Sequence, residues 1–291
     1  SERHHGTAYT NMIADYADIR SEVLYYVPQG KAYEVWKAKI TNNSDKVRKI
    51  STFGYAEFSN DSNYNQDQVN LQYTLFITKT YFKYDNMIVQ TINENFGKDK
   101  AANTNYRERF FAMTGAPVTS YNGDKEAFLG RYHSYGNPVA VENGKCDNVL
   151  NYNSNGCGAL HTALELQPGE TKEIAFILGQ ATPTVAKQIV DGSKNPSVAD
   201  AEVEELKKYW HGKLVNFQVN TPSPAFNSMI NTWNAYQCFI TFTWSRAASF
   251  QYCGERNGYG YRDTVQDIQG IIHLDPEMAA NQLRFMLSAQ V

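Results

Sequence analysis

Up to about residue 180, apolar side chains recur at alternate positions in short runs, separated by turns rich in Asn, Asp, Gly and Pro. That period belongs to half-buried β-strands. Ala32, Glu34, Trp36, Ala38 and Ile40 fall on one face of such a strand, and Thr41-Asn42-Asn43-Ser44-Asp45 turns the chain after it. Residues 50–58 predict the next strand. Residues 71–83 and 87–92 predict a pair joined by Tyr84-Asp85-Asn86, and the Asn/Asp-rich stretch 60–70 predicts a long polar loop. The clearest hairpin signal is Ala163-Leu164-Glu165-Leu166, the turn Gln167-Pro168-Gly169-Glu170, and the apolar run 173–178. Many short strands with regular turns predict a β-sandwich.

The period then lengthens. Residues 183–214 carry helical spacing and a charge run of Glu202, Glu204, Glu205, Lys207 and Lys208, which predicts the solvated face of a linker helix. Ser223 suits a helix N-cap and Pro224 the first helical position. Phe226, Met229, Ile230, Trp233, Tyr236 and Ile240 recur at three and four, as the buried stripe of one helix does. A second helix is predicted over 264–273. A third starts at Asp275-Pro276-Glu277, with Ala279, Leu283, Met286 and Leu287 inward. The organisation expected is a sandwich domain over 1–182, a helical linker over 183–220, and an all-α part over 221–291.

Composition narrows the function classes. With 42% apolar and 13% aromatic residues, the 291-residue chain reads as a soluble globular protein large enough for two domains. Its 20 tyrosines suit strands and sugar-facing surfaces. A net charge of −3 supplies no electrostatic reason for nucleic acid or an anionic membrane as partner. No apolar run reaches the ~18 residues of a spanning helix, and no signal peptide is visible. Cys146, Cys157, Cys238 and Cys253 form no CxxC, so reduced thiols in a cytoplasmic protein are expected, with a Cys146–Cys157 disulfide as the alternative. No HExxH or GxSxG occurs, and the scattered histidines, His4, His5, His161 and His273 among them, give no metal site or Ser-His-Asp triad. The chain starts at a Ser and ends in a helix without a cap, as an internal piece of something longer would.

The chemistry concentrates in Trp244-Ser245-Arg246-Ala247-Ala248-Ser249-Phe250 and Gly254-Glu255-Arg256-Asn257-Gly258-Tyr259-Gly260-Tyr261-Arg262-Asp263-Thr264-Val265-Gln266-Asp267. The glycine loop lacks the spacing of a nucleotide-binding loop. Arg256 is either a bidentate phosphate donor or a surface arginine. Arg262 and Asp263 read either as a clamp on neighbouring sugar hydroxyls or, with Gln266, as a helix cap with a reciprocal glutamine. Asp263 and Asp267 lie one helical turn apart. They cannot straddle a glycosidic bond as inverting carboxylates ~6.5–9.5 Å apart do.

These residues, with Asn231-x-Trp233-Asn234-x-Tyr236-Gln237, Leu166-x-Pro168-Gly169-Glu170 and Asn42-x-Ser44-Asp45, resemble the disaccharide phosphorylases of glycoside hydrolase family 94, formerly glycosyltransferase family 36, across essentially the whole chain. The resemblance implies a β + α multidomain fold: an N-terminal β-supersandwich, incomplete at its start, a helical linker, and the first helices of an (α/α)6 barrel. It implies a glycosyltransferase-type enzyme that performs inverting phosphorolysis of a β-linked, cellobiose-like disaccharide to an α-sugar 1-phosphate and a free sugar. Inorganic phosphate would be the co-substrate, with no cofactor and no metal. Arg246, Arg262 and Asp263 would hold the donor sugar and Arg256 would face phosphate. The family's general acid lies in a Trp-Asn-Asp motif, and the only Trp-Asn here, Trp233-Asn234, precedes Ala235. The catalytic Asp is therefore expected beyond Val291, with this piece inactive alone and the full-length protein a homodimer. Cellobiose, diacetylchitobiose and laminaribiose all remain open as substrates. The alternatives are a noncatalytic carbohydrate-binding or assembly module and an inverting glycoside hydrolase.

Overall fold

The computed structural model describes residues 1–58, 78–92, 108–244 and 260–288. The strands are β1 (Glu2–Gly6), β2 (Tyr9–Tyr16), β3 (Ile19–Tyr26), β4 (Tyr33–Asn42), β5 (Arg48–Glu57), β6 (Thr78–Lys83), β7 (Met87–Ile92), β8 (Arg109–Thr114), β9 (Ser120–Asp124), β10 (Gly156–Leu166) and β11 (Thr171–Gln180). The helices are α1 (Lys125–Leu129), α2 (Val139–Glu142), α3 (Pro183–Gly192), α4 (Pro196–Leu214), α5 (Pro224–Ser228), α6 (Ala235–Trp244), α7 (Tyr261–Gln269) and α8 (Pro276–Ser288), with a π-helical segment, Met229–Asn234, between α5 and α6. The chain divides into two compact units, Ser1–Val203 and Glu204–Val291. The polar stretch 60–70 and most of the strand expected over 71–83 lie outside the described residues.

In the first unit, an antiparallel eight-stranded sheet in the order β1-β2-β3-β4-β11-β8-β7-β6 faces a three-stranded sheet, β5-β10-β9. Phe111, Met113, Ile174 and Phe176 of the large sheet meet Leu160, Leu164 and Leu166 of the small one. Phe176 sits on Gly54, where a Cβ would lie 2.3 Å from its ring, so only glycine admits that ring. The opposite face of the large sheet is also covered: Met87, Val89, Phe110, Ala112 and Ile177 pack with Ala186 and Val190 of α3. Burial on both faces leaves every side chain of β8 buried and removes the polar half of the alternation there.

Two expectations about strands change. The predicted hairpin at 163–178 is not a hairpin, because β10 belongs to the small sheet and β11 to the large one. The connection arches between layers, and so does that from β4 to β5. Asn42 holds the two arches together. Its N–H donates to the Glu170 carbonyl at 3.0 Å, its carbonyl accepts from Gly169, and its amide Nδ2 reaches the carbonyls of Lys46, Leu166 and Gln167 at 2.7, 3.0 and 3.1 Å. Two of the motifs that carried the resemblance thus meet at one buried amide. The second change concerns β4, whose odd face is inward too. Lys37 is buried, with Nζ 3.0 Å from Asp200 and 3.4 Å from Glu173. The Tyr84-Asp85 turn forms as predicted, with φ of 56° and 58°, the left-handed pair of a tight hairpin. The short helices α1 and α2 were not foreseen; they cover the outer face of the small sheet at Phe53, Tyr55, Cys157 and Ala159.

The linker region is two helices rather than one. Glu204, Glu205, Lys207 and Lys208 are exposed as expected, but Glu202 is half-buried and accepts a 2.7 Å hydrogen bond from the Tyr26 hydroxyl. In the second unit Ser223 caps α5 through Phe226 N–H at 3.4 Å. The expected stripe holds in part, with Ile230, Trp233, Tyr236 and Ile240 half-buried. Phe226 and Met229 are exposed, and Ala235 and Phe239 are buried instead. The π-helical turn adds residues per turn and rotates every later position off the 3.6-residue face.

Candidate functional site

The described part of the site is the first turn of α7. Gly260 is its N-cap at φ −69°, ψ 118°, and its carbonyl accepts from Thr264 N–H at 2.9 Å. The helix therefore starts earlier than the 264–273 predicted, and Asp263 stands inside the first turn. The reading of Asp263 and Gln266 as a reciprocal cap does not hold, since Gly260 occupies the cap with no side-chain hydrogen bond. A Cβ at residue 260 would lie 3.0 Å from Asp263 Oδ2, so glycine there leaves room for that carboxylate.

Arg262 and Asp263 point to different environments. The guanidinium is 83% exposed and the carboxylate 14%, with Nη2 and Oδ1 3.7 Å apart. The N-terminal end of a helix favours an ionised carboxylate in its first turn. A fork of donors beside a fixed pair of acceptors is what two neighbouring hydroxyls require. Behind them Thr264 and Ile268 are buried, and α7 continues into buried Ile271 and Leu274. At Gly270 a Cβ would lie 3.1 Å from Cys238 Cβ, which measures how closely α6 and α7 approach. Arg246 and Arg256 lie outside the described residues, as does the glycine loop up to residue 259.

The upstream motif residues hold this scaffold. Asn231 mimics a strand partner: its Oδ1 accepts from Val219 N–H at 2.7 Å and its Nδ2 donates to the Val219 carbonyl at 2.8 Å. Tyr236 packs on Trp210 of α4, with ring centroids 4.6 Å apart. Lys213 pairs with Asp275, which also caps α8 through Met278 N–H at 3.1 Å. The Lys213 hydrogen bond holds the Asp275 carboxyl below the usual range.

Both domain models of one family match, the glycosyl hydrolase 94 supersandwich domain over residues 1–196 and the glycosyl hydrolase 94 superfamily catalytic domain over residues 209–291. The chain belongs to glycoside hydrolase family 94. Its β-rich first unit is the family's supersandwich, and the helices that follow are the start of the family's catalytic domain. The N,N'-diacetylchitobiose phosphorylases of Vibrio furnissii and Vibrio proteolyticus are 37% and 36% identical to it over 100% and 99% of this chain. Solabiose phosphorylase of Paenibacillus borealis is 25% identical over 98%. In each case the chain spans 35% of the relative's length.

Elsewhere, the described residues contain no group of three or more His, Cys, Asp or Glu arranged to hold a metal, and no helix long and apolar enough to cross a membrane. Cys146 and Cys157 are buried free thiols, and burial pushes Cys146 up to about 12. Sequence reasoning missed one ionisable cluster entirely. Glu57 accepts from the hydroxyls of Tyr135 at 2.5 Å and Tyr55 at 2.8 Å and pairs with Lys125 at 3.0 Å. Burial alone would raise the Glu57 carboxyl. The hydrogen bonds from Tyr135, Lys125 and Tyr55 outweigh it and leave the carboxyl lowered. The cluster pins the loop after α1 to β5, and its members come from three separate stretches with no shared motif.

Proposed function

We propose that the protein carrying this chain is an inverting phosphorylase of a β-linked disaccharide, yielding an α-sugar 1-phosphate and a free sugar. The observation that carries the reading is the similarity, along the whole of this chain and over 35% of each relative, to two N,N'-diacetylchitobiose phosphorylases. It makes diacetylchitobiose the first substrate to try, ahead of cellobiose and laminaribiose. In this reading Arg262 and Asp263 at the head of α7, with Arg246, bind the glycosyl unit in the donor position. Asp263 accepts hydrogen bonds from sugar hydroxyls and Arg262 donates to them. Arg256 faces inorganic phosphate, where a permanent cation offsets the anion's charge as it attacks the anomeric carbon. Phosphate is already an anionic nucleophile, so no base is required. A single acid must protonate the leaving oxygen, and the Trp-Asn-Asp motif that would carry it does not occur in these 291 residues. This piece alone is then inactive, the whole enzyme needs no cofactor, and it works as a homodimer in the cytoplasm.

The test is release of sugar 1-phosphate by the longer protein from each disaccharide, with and without phosphate. Strict phosphate dependence is expected, whereas equal sugar release without phosphate would mark a hydrolase. Arg256→Ala should lower kcat/KM for phosphate by at least ~10-fold, about 1.4 kcal/mol, while leaving disaccharide binding largely intact. An unchanged phosphate dependence would overturn the role of Arg256.

A further inference from the structure

The sandwich unit carries an open cleft of about 810 Å3, remote in sequence from α7, that no step of the proposed reaction uses. It lies where the Gly30–Tyr33 turn, the end of β11, α3 and the start of α4 converge, lined by Tyr33, Gln180, Thr182, Gln188, Ser193 and Glu202 among others. Its size is within the ~300–1,000 Å3 of sites that hold small molecules. We propose that this cleft binds a pyranose sugar.

Three features point that way. Tyr33 is half-buried and offers ring surface for the C–H face of a sugar, while burial and the nearby Glu202 charge raise its phenol. Glu202 is held in place by the Tyr26 hydroxyl at 2.7 Å and presents an acceptor oriented in advance. Gln180 and Gln188 each bring a donor and an acceptor, and neither side chain hydrogen-bonds to another group among the described residues. Planar amide and carboxylate groups around a ring match a ligand whose every hydroxyl both donates and accepts. Lys31 is the sole cationic side chain in the lining and Glu202 brings a carboxylate, so the lining carries no net positive charge for an anion. The preference for a sugar over another polyol rests on the phosphorylase reading above; the arrangement of groups does not.

The experiment follows backbone amide NMR shifts of the 291-residue chain on titration with N-acetylglucosamine and, separately, glucose. Saturable shifts at Ala32, Gln180, Gln188 and Glu202 are expected, with a Kd on the order of millimolar, the affinity of a few hydrogen bonds on an open surface. Gln188 is exposed, so Gln188→Ala should keep the fold and its melting temperature while weakening binding at these amides about fivefold, the equivalent of ~1 kcal/mol. No shift at these residues, shifts only around Arg262, or binding unchanged by Gln188→Ala would each overturn the proposal. Loss of cleft binding with phosphate-dependent turnover intact in the longer protein removes this site alone. Cleft binding without any phosphate-dependent turnover leaves it standing and removes the phosphorylase reading.

Discussion

In the sandwich unit the decisive contacts are strand ladders and a core packed between two sheets, whereas in the helical unit they are helix caps and a few side-chain contacts between helices. Asn42 reaches Leu166, 124 positions on, and Phe111 stacks on Phe176 with centroids 5.6 Å apart. The helical unit is held by caps three residues long, at Ser223 and Asp275, and by Trp210 against Phe239 at 5.2 Å. Its described surface also keeps Phe226, Met229, Phe285 and Leu287 exposed. Pairing on a doubly buried sheet makes strands unfold together, while helices that leave large apolar side chains exposed open at lower free energy. The proposed sugar-binding turn of α7 therefore belongs to the unit with less holding it.

Three measurements would break or sharpen this contrast. The largest effect is expected from Asn42→Leu. It removes the amide bonds to the carbonyls of Lys46, Leu166 and Gln167. The first and last keep donors in Ser44 Oγ and Glu170 N–H, while the bond to Leu166 is the buried one. The loss should be about 2–3 kcal/mol, from ~1–3 kcal/mol per unpaired buried group. Residue-resolved hydrogen exchange should show faster opening in β4, β5, β10 and β11 and none in α8. Equal acceleration in α8 would mean that the two units do not open separately.

A smaller loss, about 1–2 kcal/mol and confined to α8, should follow Asp275→Ala, since a cap and an ion pair both disappear. The same carboxylate fixes a pH dependence. The native chain resists protonating Asp275 where the unfolded chain does not, so this stability is present above the ordinary carboxyl range near pH ~4. It is lost as pH falls through the lower folded value. An α8 stability that ignores acid down to pH ~3 would contradict the pairing with Lys213.

The smallest effect concerns His161, buried in β10, with Nδ1 2.9 Å from both Thr119 and Ser120 hydroxyls and no hydrogen-bond partner at Nε2 among the described residues. Burial lowers its pKa, so the unfolded chain takes up the proton first and sandwich stability should fall as pH drops below about 6.5. The change between pH 7.5 and 5.5 should be under about 1 kcal/mol in thermal unfolding and should vanish in His161→Gln. Persistence of the slope in that variant would assign it to another group.

Much of this was legible in the sequence because it depends on local chemistry. Period-two and helical runs marked the layers, Ser223-Pro224 announced α5, Tyr84-Asp85 announced a tight turn, and the arginine-rich motif pointed to the family before any contact was seen. Local pattern failed where partners were distant. The alternation at 163–178 is the same whether two strands pair with each other or arch into separate sheets, and only the dock on Asn42 decided. The polar Lys37 and Glu202 look solvated until Asp200 and Tyr26 are brought over them. At Asp263 the residue type predicted a helix cap; a helix does start there, but its cap is Gly260. The position of Asp263 inside the first turn, beneath a glycine that leaves it room, was set by where the backbone of Gly260 begins the helix. Residue type and spacing act within a turn or two of the chain. Pairing between sheets, burial of charge and the starting phase of a helix are decided by groups tens to hundreds of residues away.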